Sequence, residues 1–191
     1  MKMRFLSIWI ILLLAVTLAG CGNITAINQP TATPSGPPLG DQVRNEPGGY
    51  TYRTIPEFNT QTSKQLTLLI APEGNPTTGP GLFMTGSFDP ARKNMTALDY
   101  LTLYLHGLDY LSTDTQEIDI SGVDGAIMEL VGSPENLEMQ GRMAVLVPEP
   151  GQHFLIMGVA DTGKWAELEP WFEAVLASME FFPPVAATPT P

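Results

Sequence analysis

Two strand-turn-strand patterns lie back to back in the second half of the chain. The first runs from Gln116 to Gly132 and the second from Met139 to Ala160; Gly and Asp residues interrupt the first near its middle, and Pro and Gly residues interrupt the second. Between Gln116 and Ile120, isoleucines alternate with acidic residues, which gives a strand one wet face and one dry face. Consecutive hairpins of this kind restrict the chain to an antiparallel sheet whose dry face must be covered.

Further segments supply the rest of that sheet and its cover. Extended structure is predicted for Tyr50 to Ile55, Gln65 to Ala71 and Gly81 to Phe88. A helix is predicted after the capping-box sequence Thr96 to Asp99, and a second from about Lys164 to Met179. The predicted fold class is therefore α+β, a mostly antiparallel sheet of about six to seven strands with two main helices packed on it.

Three features of the stretch from Ile118 through Phe182 stand out: the segment Ile118 to Ala126 (IDISGVDGA), the two following strands with Gly158, and the closing segment Trp165 to Phe181. In these features the stretch resembles the PsbP/Mog1-like superfamily. The resemblance implies the same α+β arrangement, in a family that includes many bacterial lipoproteins of unassigned role. The chain departs from the family at Ile55-Pro56-Glu57-Phe58, where a Pro-x-Gly-Trp segment is common.

The chain begins with a secretory leader pattern. Lys2 and Arg4 precede an apolar run from Phe5 to Leu18 that is shorter than the roughly 20 residues needed to cross a bilayer core. The run ends in Leu18-Ala19-Gly20-Cys21, which resembles the lipobox of bacterial lipoproteins at all four positions. The resemblance implies cleavage before Cys21 and a lipid on its thiol. An ordinary signal peptide with an incidental cysteine, or an uncleaved anchor, are the alternatives.

Composition divides the chain into four parts. Residues 1–20 are expected to be the signal peptide, and 21–49 to be the cysteine that the lipobox resemblance implies is lipidated, followed by a Pro-, Thr- and Gly-rich linker that has too few large apolar residues to fold. Residues 50–183 are expected to form one α+β domain, because this length is enough for a single core. Residues 184–191 repeat the linker composition, and we expect them to be disordered.

The charge of the chain excludes some partners. Its net charge is -11, and loss of Lys2 and Arg4 with the leader would make it -13. Nucleic acid is not expected as a partner of so acidic a chain, and anionic headgroups would repel it. We therefore expect an exported protein held at the extracytoplasmic face of the cell membrane by the lipid on Cys21. One cysteine allows no intramolecular disulfide or cysteine-based metal cluster.

No catalytic motif is visible in the sequence. His106 and His153 are interpreted as solvated residues beside a helix end and a hairpin turn. His106 with Asp109 one turn later could mimic a base and its orienter, but no nucleophile or oxyanion site accompanies them. The acidic stretch from Asp109 to Glu129 is interpreted as a solvated face, with a cation site as the alternative. We expect no enzyme, cofactor or metal.

The sequence therefore predicts a membrane-anchored envelope lipoprotein whose domain is a non-catalytic protein-binding or assembly module. Its partner would be another envelope protein, which binds a sheet face or the side of the first helix that carries Tyr100 and Leu103. That side lies opposite the stripe formed by Leu98 and Leu101, although another layer of the same domain could cover it. A small-ligand or cation receptor is the alternative, and an enzyme ranks third.

Overall fold

The computed structural model describes residues 36–75, 79–133 and 136–185. The predicted leader, the lipobox, Cys21 and residues 186–191 lie outside them. The strands are β1 (Gln42–Asn45), β2 (Tyr50–Arg53), β3 (Asn59–Ser63), β4 (Leu66–Asn75), β5 (Gly79–Phe88), β6 (Tyr110–Ile120), β7 (Val123–Gly132), β8 (Met139–Glu149), β9 (Gln152–Asp161) and β10 (Glu180–Phe181). The α-helices are α1 (Ala97–Leu105) and α2 (Trp165–Ala177). Neither helix has the length and apolar character needed to span a membrane.

The strands form two antiparallel sheets. The larger has seven strands in the order β3-β4-β5-β9-β8-β7-β6, and the smaller has the order β1-β2-β10. The predicted α+β class, with its mostly antiparallel sheet and two main helices, is confirmed. The strand predicted at Tyr50 to Ile55 corresponds to β2. It was expected in the large sheet but belongs to the small one. The unpredicted strand β3 occupies the edge of the large sheet, where its polar sequence NTQTS needs no dry face.

Alternating side chains of the large sheet build two cores, one on each face. Helix α1 covers the first core, which includes Met143, Val145 and Leu155. Helix α2 and the small sheet cover the second core, which includes Ala144, Leu146 and Ile156. The domain thus has three layers, with the seven-stranded sheet in the middle.

Helix α1 begins as predicted but is rotated relative to the predicted stripe. The capping box is present: the Thr96 backbone N–H donates to Asp99 Oδ2 at 2.8 Å, and this bond lowers the pKa of Asp99. Leu98, however, is 52% exposed, and Tyr100 is fully buried. An aromatic ring buries more apolar area than a leucine, so the tyrosine side turns inward. The prediction that Tyr100 lies on an exposed partner surface is therefore wrong, whereas Leu103 is 43% exposed.

The predicted linker is folded from residue 36 onward, so the boundary at residue 50 is wrong. Strand β1 pairs with β2, and Val43 packs against the second core. Asn45 is 3% exposed, and its side-chain N–H donates to Tyr50 Oη at 3.0 Å and to Thr67 Oγ1 at 3.3 Å. This segment has few large apolar side chains. Backbone pairing with β2 and the buried Asn45 network hold it against the domain instead. The C-terminal boundary also moves, because the Val185 N–H donates to the carbonyl of Glu46 at 3.0 Å.

Candidate functional site

An open cleft of about 320 Å³ lies where the C-terminal segment meets the β8–β9 turn and the start of β7. We call it the terminal cleft. Its apolar lining consists of Val123, Pro148, Met179, Phe181, Phe182 and Pro183, and its polar lining includes Glu149, Gln152 and Glu180.

Contacts behind the terminal cleft hold its aromatic floor in place. Gln152 is 3% exposed, and its amide donates to the Phe182 carbonyl at 2.8 Å. The Phe181 ring packs against Phe154 at a centroid distance of 5.3 Å. The Arg44 guanidinium lies over the Phe182 ring, 3.4 Å from its centroid. Because a hydrogen bond and the Arg44 guanidinium hold Phe182, and the Phe154 ring supports Phe181, the cleft is already shaped before any partner binds.

The rim of the terminal cleft is acidic. Glu149 and Glu180 are exposed, and the lining contains no lysine or arginine. Glu180 Oε2 accepts hydrogen bonds from the Gln42 side chain at 3.2 Å and from Thr51 Oγ1 at 3.4 Å, which fixes its position. An apolar floor beneath two carboxylates favours a cationic group that carries an apolar neighbour.

His153 on β9 is the second notable feature. It is 4% exposed, its ring stacks on Tyr100 at 4.0 Å, and its Nε2 lies 2.7 Å from Tyr104 Oη. Its buried Nδ1 has no hydrogen-bond partner among the described residues. The pKa of His153 is lowered to about 4, chiefly because burial disfavours the charged form; nearby Arg92 contributes to the shift and Asp89 partly opposes it.

The interpretation of His153 as a solvated residue is therefore wrong. The imidazole is neutral at pH 7, because its pKa lies far below that pH. A general base must come within hydrogen-bond reach of the proton it removes. Helix α1 instead covers this ring with Tyr100, so His153 serves the packing of α1 on the sheet.

The other candidate residues are not brought together. His106 is the exposed C-cap of α1, and no hydrogen bond joins it to Asp109 in the part of the chain that the structure describes. Glu117 and Asp119 are exposed on β6, as the alternation predicts. Within the described ranges, no group of three or more His, Cys, Asp or Glu side chains is placed to hold a metal ion.

Glu129 has a structural partner instead. It pairs with Arg142 on β8, which also contacts Glu173 and lies 2.9 Å from Glu169, both on α2. Burial disfavours the charged guanidinium, but the hydrogen bonds to Glu129 and Glu173 outweigh that effect and raise the pKa of Arg142. The cluster ties α2 to the sheet beside a shallow cleft of about 190 Å³ whose lining includes Asp114.

The terminal cleft was not predicted from the sequence. Its lining comes from three stretches far apart in the chain, namely 121–123, 148–152 and 179–183. The one local signal is the pair Phe181 and Phe182 followed by two prolines, since two adjacent aromatic residues after a helix cannot both enter the same core.

Comparison with known proteins supports the fold. No protein-family model and no curated protein matches the chain. Its structure is similar to the solution structure of cyanobacterial PsbP (CyanoP) from Synechocystis, with 14% identity, a TM-score of 0.55, and coverage of 87% of this chain and 99% of that chain. It is also similar to a crystal structure from Bacteroides thetaiotaomicron, with 13% identity, a TM-score of 0.53, and coverage of 76% of this chain and 50% of that chain. The fold is therefore PsbP-like.

Proposed function

We propose that residues 36–185 form a non-catalytic protein-binding module, held at the extracytoplasmic face of a membrane by a lipid on Cys21. The terminal cleft is its binding site. The partner is an envelope protein that presents an apolar side chain flanked by lysine or arginine. The observation that carries the proposal is the apolar cleft floor beneath the exposed carboxylates of Glu149 and Glu180.

The tether is supported by the sequence. All four positions of Leu18-Ala19-Gly20-Cys21 fit a lipidation site. The net charge of the cleaved chain would be -13, so electrostatics would push the domain away from anionic headgroups. The two or three acyl chains of a bacterial lipoprotein anchor durably, whereas one chain binds only marginally.

The shape of the terminal cleft favours a protein partner over a small ligand. Its volume lies at the lower end of the roughly 300–1,000 Å³ of small-molecule sites, and it is open to solvent. The buried Gln152 amide, which could orient a ligand, already donates to the Phe182 carbonyl. An inserted apolar side chain would cover the two phenylalanines while flanking cations meet the rim glutamates. A small organic cation is the second candidate, because it fits the same volume and charge.

Two peptides test the proposal with the full-length chain in detergent micelles. One has the sequence lysine–phenylalanine–lysine and the other glutamate–phenylalanine–glutamate. We expect calorimetry to show salt-dependent binding of the basic peptide and no binding of the acidic one. Glu149→Gln should weaken the basic peptide about threefold to tenfold, since it removes one rim charge. The matched control Glu117→Gln, on β6 outside the cleft, should leave binding unchanged.

Two results would contradict the proposal. Equal affinity for both peptides would show that the rim charges do not select the partner, and equal effects of the two glutamine variants would place binding elsewhere. If lysine amide bound as tightly as the basic peptide, the small-cation alternative would be preferred.

A further inference from the structure

The two edges of the seven-stranded sheet are built differently. Edge strand β6 carries Asp114, Glu117 and Asp119, and its pairing with β7 is irregular between Ser112 and Thr115. Charges and bulges of this kind protect an edge from further strand pairing. Edge strand β3 has neither: its sequence NTQTS is uncharged, all its residues are exposed, and its register with β4 is regular throughout. The β3 edge is therefore open to another strand.

The backbone groups that face outward on β3 follow from its hairpin with β4. The turn contains two residues, so Ser63 and Leu66 close it as a hydrogen-bonded pair. Alternation then makes Gln61 and Asn59 hydrogen-bonded to β4, while Thr60 and Thr62 direct their N–H and C=O groups away from it. Within the described residues, no other backbone group bonds to this edge of β3.

We propose that the β3 edge pairs with β3 of a second copy of this chain, antiparallel about a two-fold axis through Gln61. In that register Thr60 faces Thr62 of the partner subunit, and each such pair exchanges both N–H···O bonds. The same outward groups that β4 leaves free are thus the ones that the two-fold axis requires. Side chains also match, because hydroxyls meet hydroxyls and the Gln61 amides meet each other.

Charge at the ends of β3 fits the same register. Exposed Glu57 precedes the strand and exposed Lys64 follows it, so an antiparallel copy places each glutamate beside the lysine of the other chain. The arrangement is isologous and closes on itself, as two-fold dimers do. It buries little area, so we expect a weak dimer that forms where copies are concentrated, such as on a membrane if the proposed lipid tether holds them there. The terminal cleft takes no part in it.

Opposite charges at Gln61 test the two-fold axis directly. Gln61→Lys and Gln61→Glu each place like charges face to face in the dimer, and Gln61 is exposed, so the fold should persist. We expect each variant alone to self-associate at least about tenfold more weakly than the natural chain, and an equimolar mixture of the two to recover association. Energy transfer between labelled full-length copies in phosphatidylcholine vesicles measures this, and Glu149→Gln should have no effect.

Cross-linking gives a second readout. Non-hydrogen-bonded antiparallel neighbours lie about 4.5 Å apart at Cα, which a disulfide can bridge, so Gln61→Cys should form a reducible dimer. The control Thr115→Cys lies on the protected β6 edge and should not. The proposal is overturned if the natural chain shows no energy transfer, or if the two charge variants associate as strongly as the natural chain. It is also overturned if the mixture of the two variants fails to regain association, or if the Gln61→Cys variant links to a different protein.

Discussion

Acid should destabilise this domain through His153. The buried ring is held neutral between Tyr100 and Tyr104, and its Nδ1 faces no acceptor among the described residues. In the doubly protonated ring, Nδ1 would carry an N–H donor for which the described residues offer no hydrogen-bond acceptor. The pKa of His153 is lowered from 6.5 to about 4, chiefly because burial disfavours the charged form. Protonation should therefore loosen the packing of α1 on the sheet.

The magnitude follows from proton linkage. The folded pKa lies below the unfolded value, so the unfolded state binds the proton more readily between pH 6.5 and pH 4. Stability is full above about pH 6.5, falls as the pH drops through that window, and loses nothing more from this group below about pH 4. Between pH 7 and pH 5 the loss is about 2 kcal/mol.

The assay is urea unfolding, followed by tryptophan fluorescence at pH 7, 6 and 5. Other groups also titrate in this range, so the informative quantity is the difference between the natural chain and His153→Phe, which keeps an aromatic ring against Tyr100. We expect that difference to change by about 2 kcal/mol in favour of the variant between pH 7 and pH 5. His106→Gln, at the exposed end of α1, should track the natural chain. Parallel curves for His153→Phe and the natural chain would refute the reasoning.

Three further outcomes are expected. Cys21→Ala should move the protein from the membrane pellet to the soluble exported fraction, and continued pelleting would contradict lipid anchoring. Arg142→Met should lower the free energy of unfolding by about 1–2 kcal/mol, because it leaves three half-exposed glutamates without their cation; Arg142→Lys should restore part of the loss in the same urea assay. Gly86→Ala should cost about 2–4 kcal/mol, because its Cβ would collide with the Gly48 carbonyl. Gly107→Ala, whose Cβ would make only an ordinary contact with the Tyr104 carbonyl, should stay within about 0.5 kcal/mol in thermal melts.

The sequence was a good guide wherever apolar periodicity was strong. Strands β7, β8 and β9 and helix α2 were predicted within a few residues of their observed bounds, because each has a face that only burial can satisfy. Strands β1 and β3 were missed for the opposite reason. Asn45 is held in β1 by hydrogen bonds to partners outside that strand, and β3 forms because β4 offers it an edge. Neither cause leaves a local hydrophobic pattern.

Predictions about single side chains failed where two faces competed. In α1 the leucine spacing favoured burial of Leu98, yet Tyr100 is buried because it stacks on His153. His153 itself lies next to a turn, where exposure is the usual outcome. Its burial depends on α1, which lies far from it in the sequence. The two errors have one cause, since the pair Tyr100 and His153 exists only once α1 has docked on the sheet.

The folded segment 36–49 changes the expected relation between the proposed tether and the proposed binding site. Residues 36–49 were expected to be a spacer, but they form part of the support of the terminal cleft. Arg44 lies over the Phe182 ring, and the Gly49 carbonyl accepts the Phe182 N–H at 3.0 Å. The Glu46 carbonyl likewise accepts a hydrogen bond from the Val185 N–H at 3.0 Å. The stretch of chain that leads toward Cys21 therefore helps to position the aromatic floor, so the shape of the proposed binding site depends on the segment between that site and the proposed lipid tether.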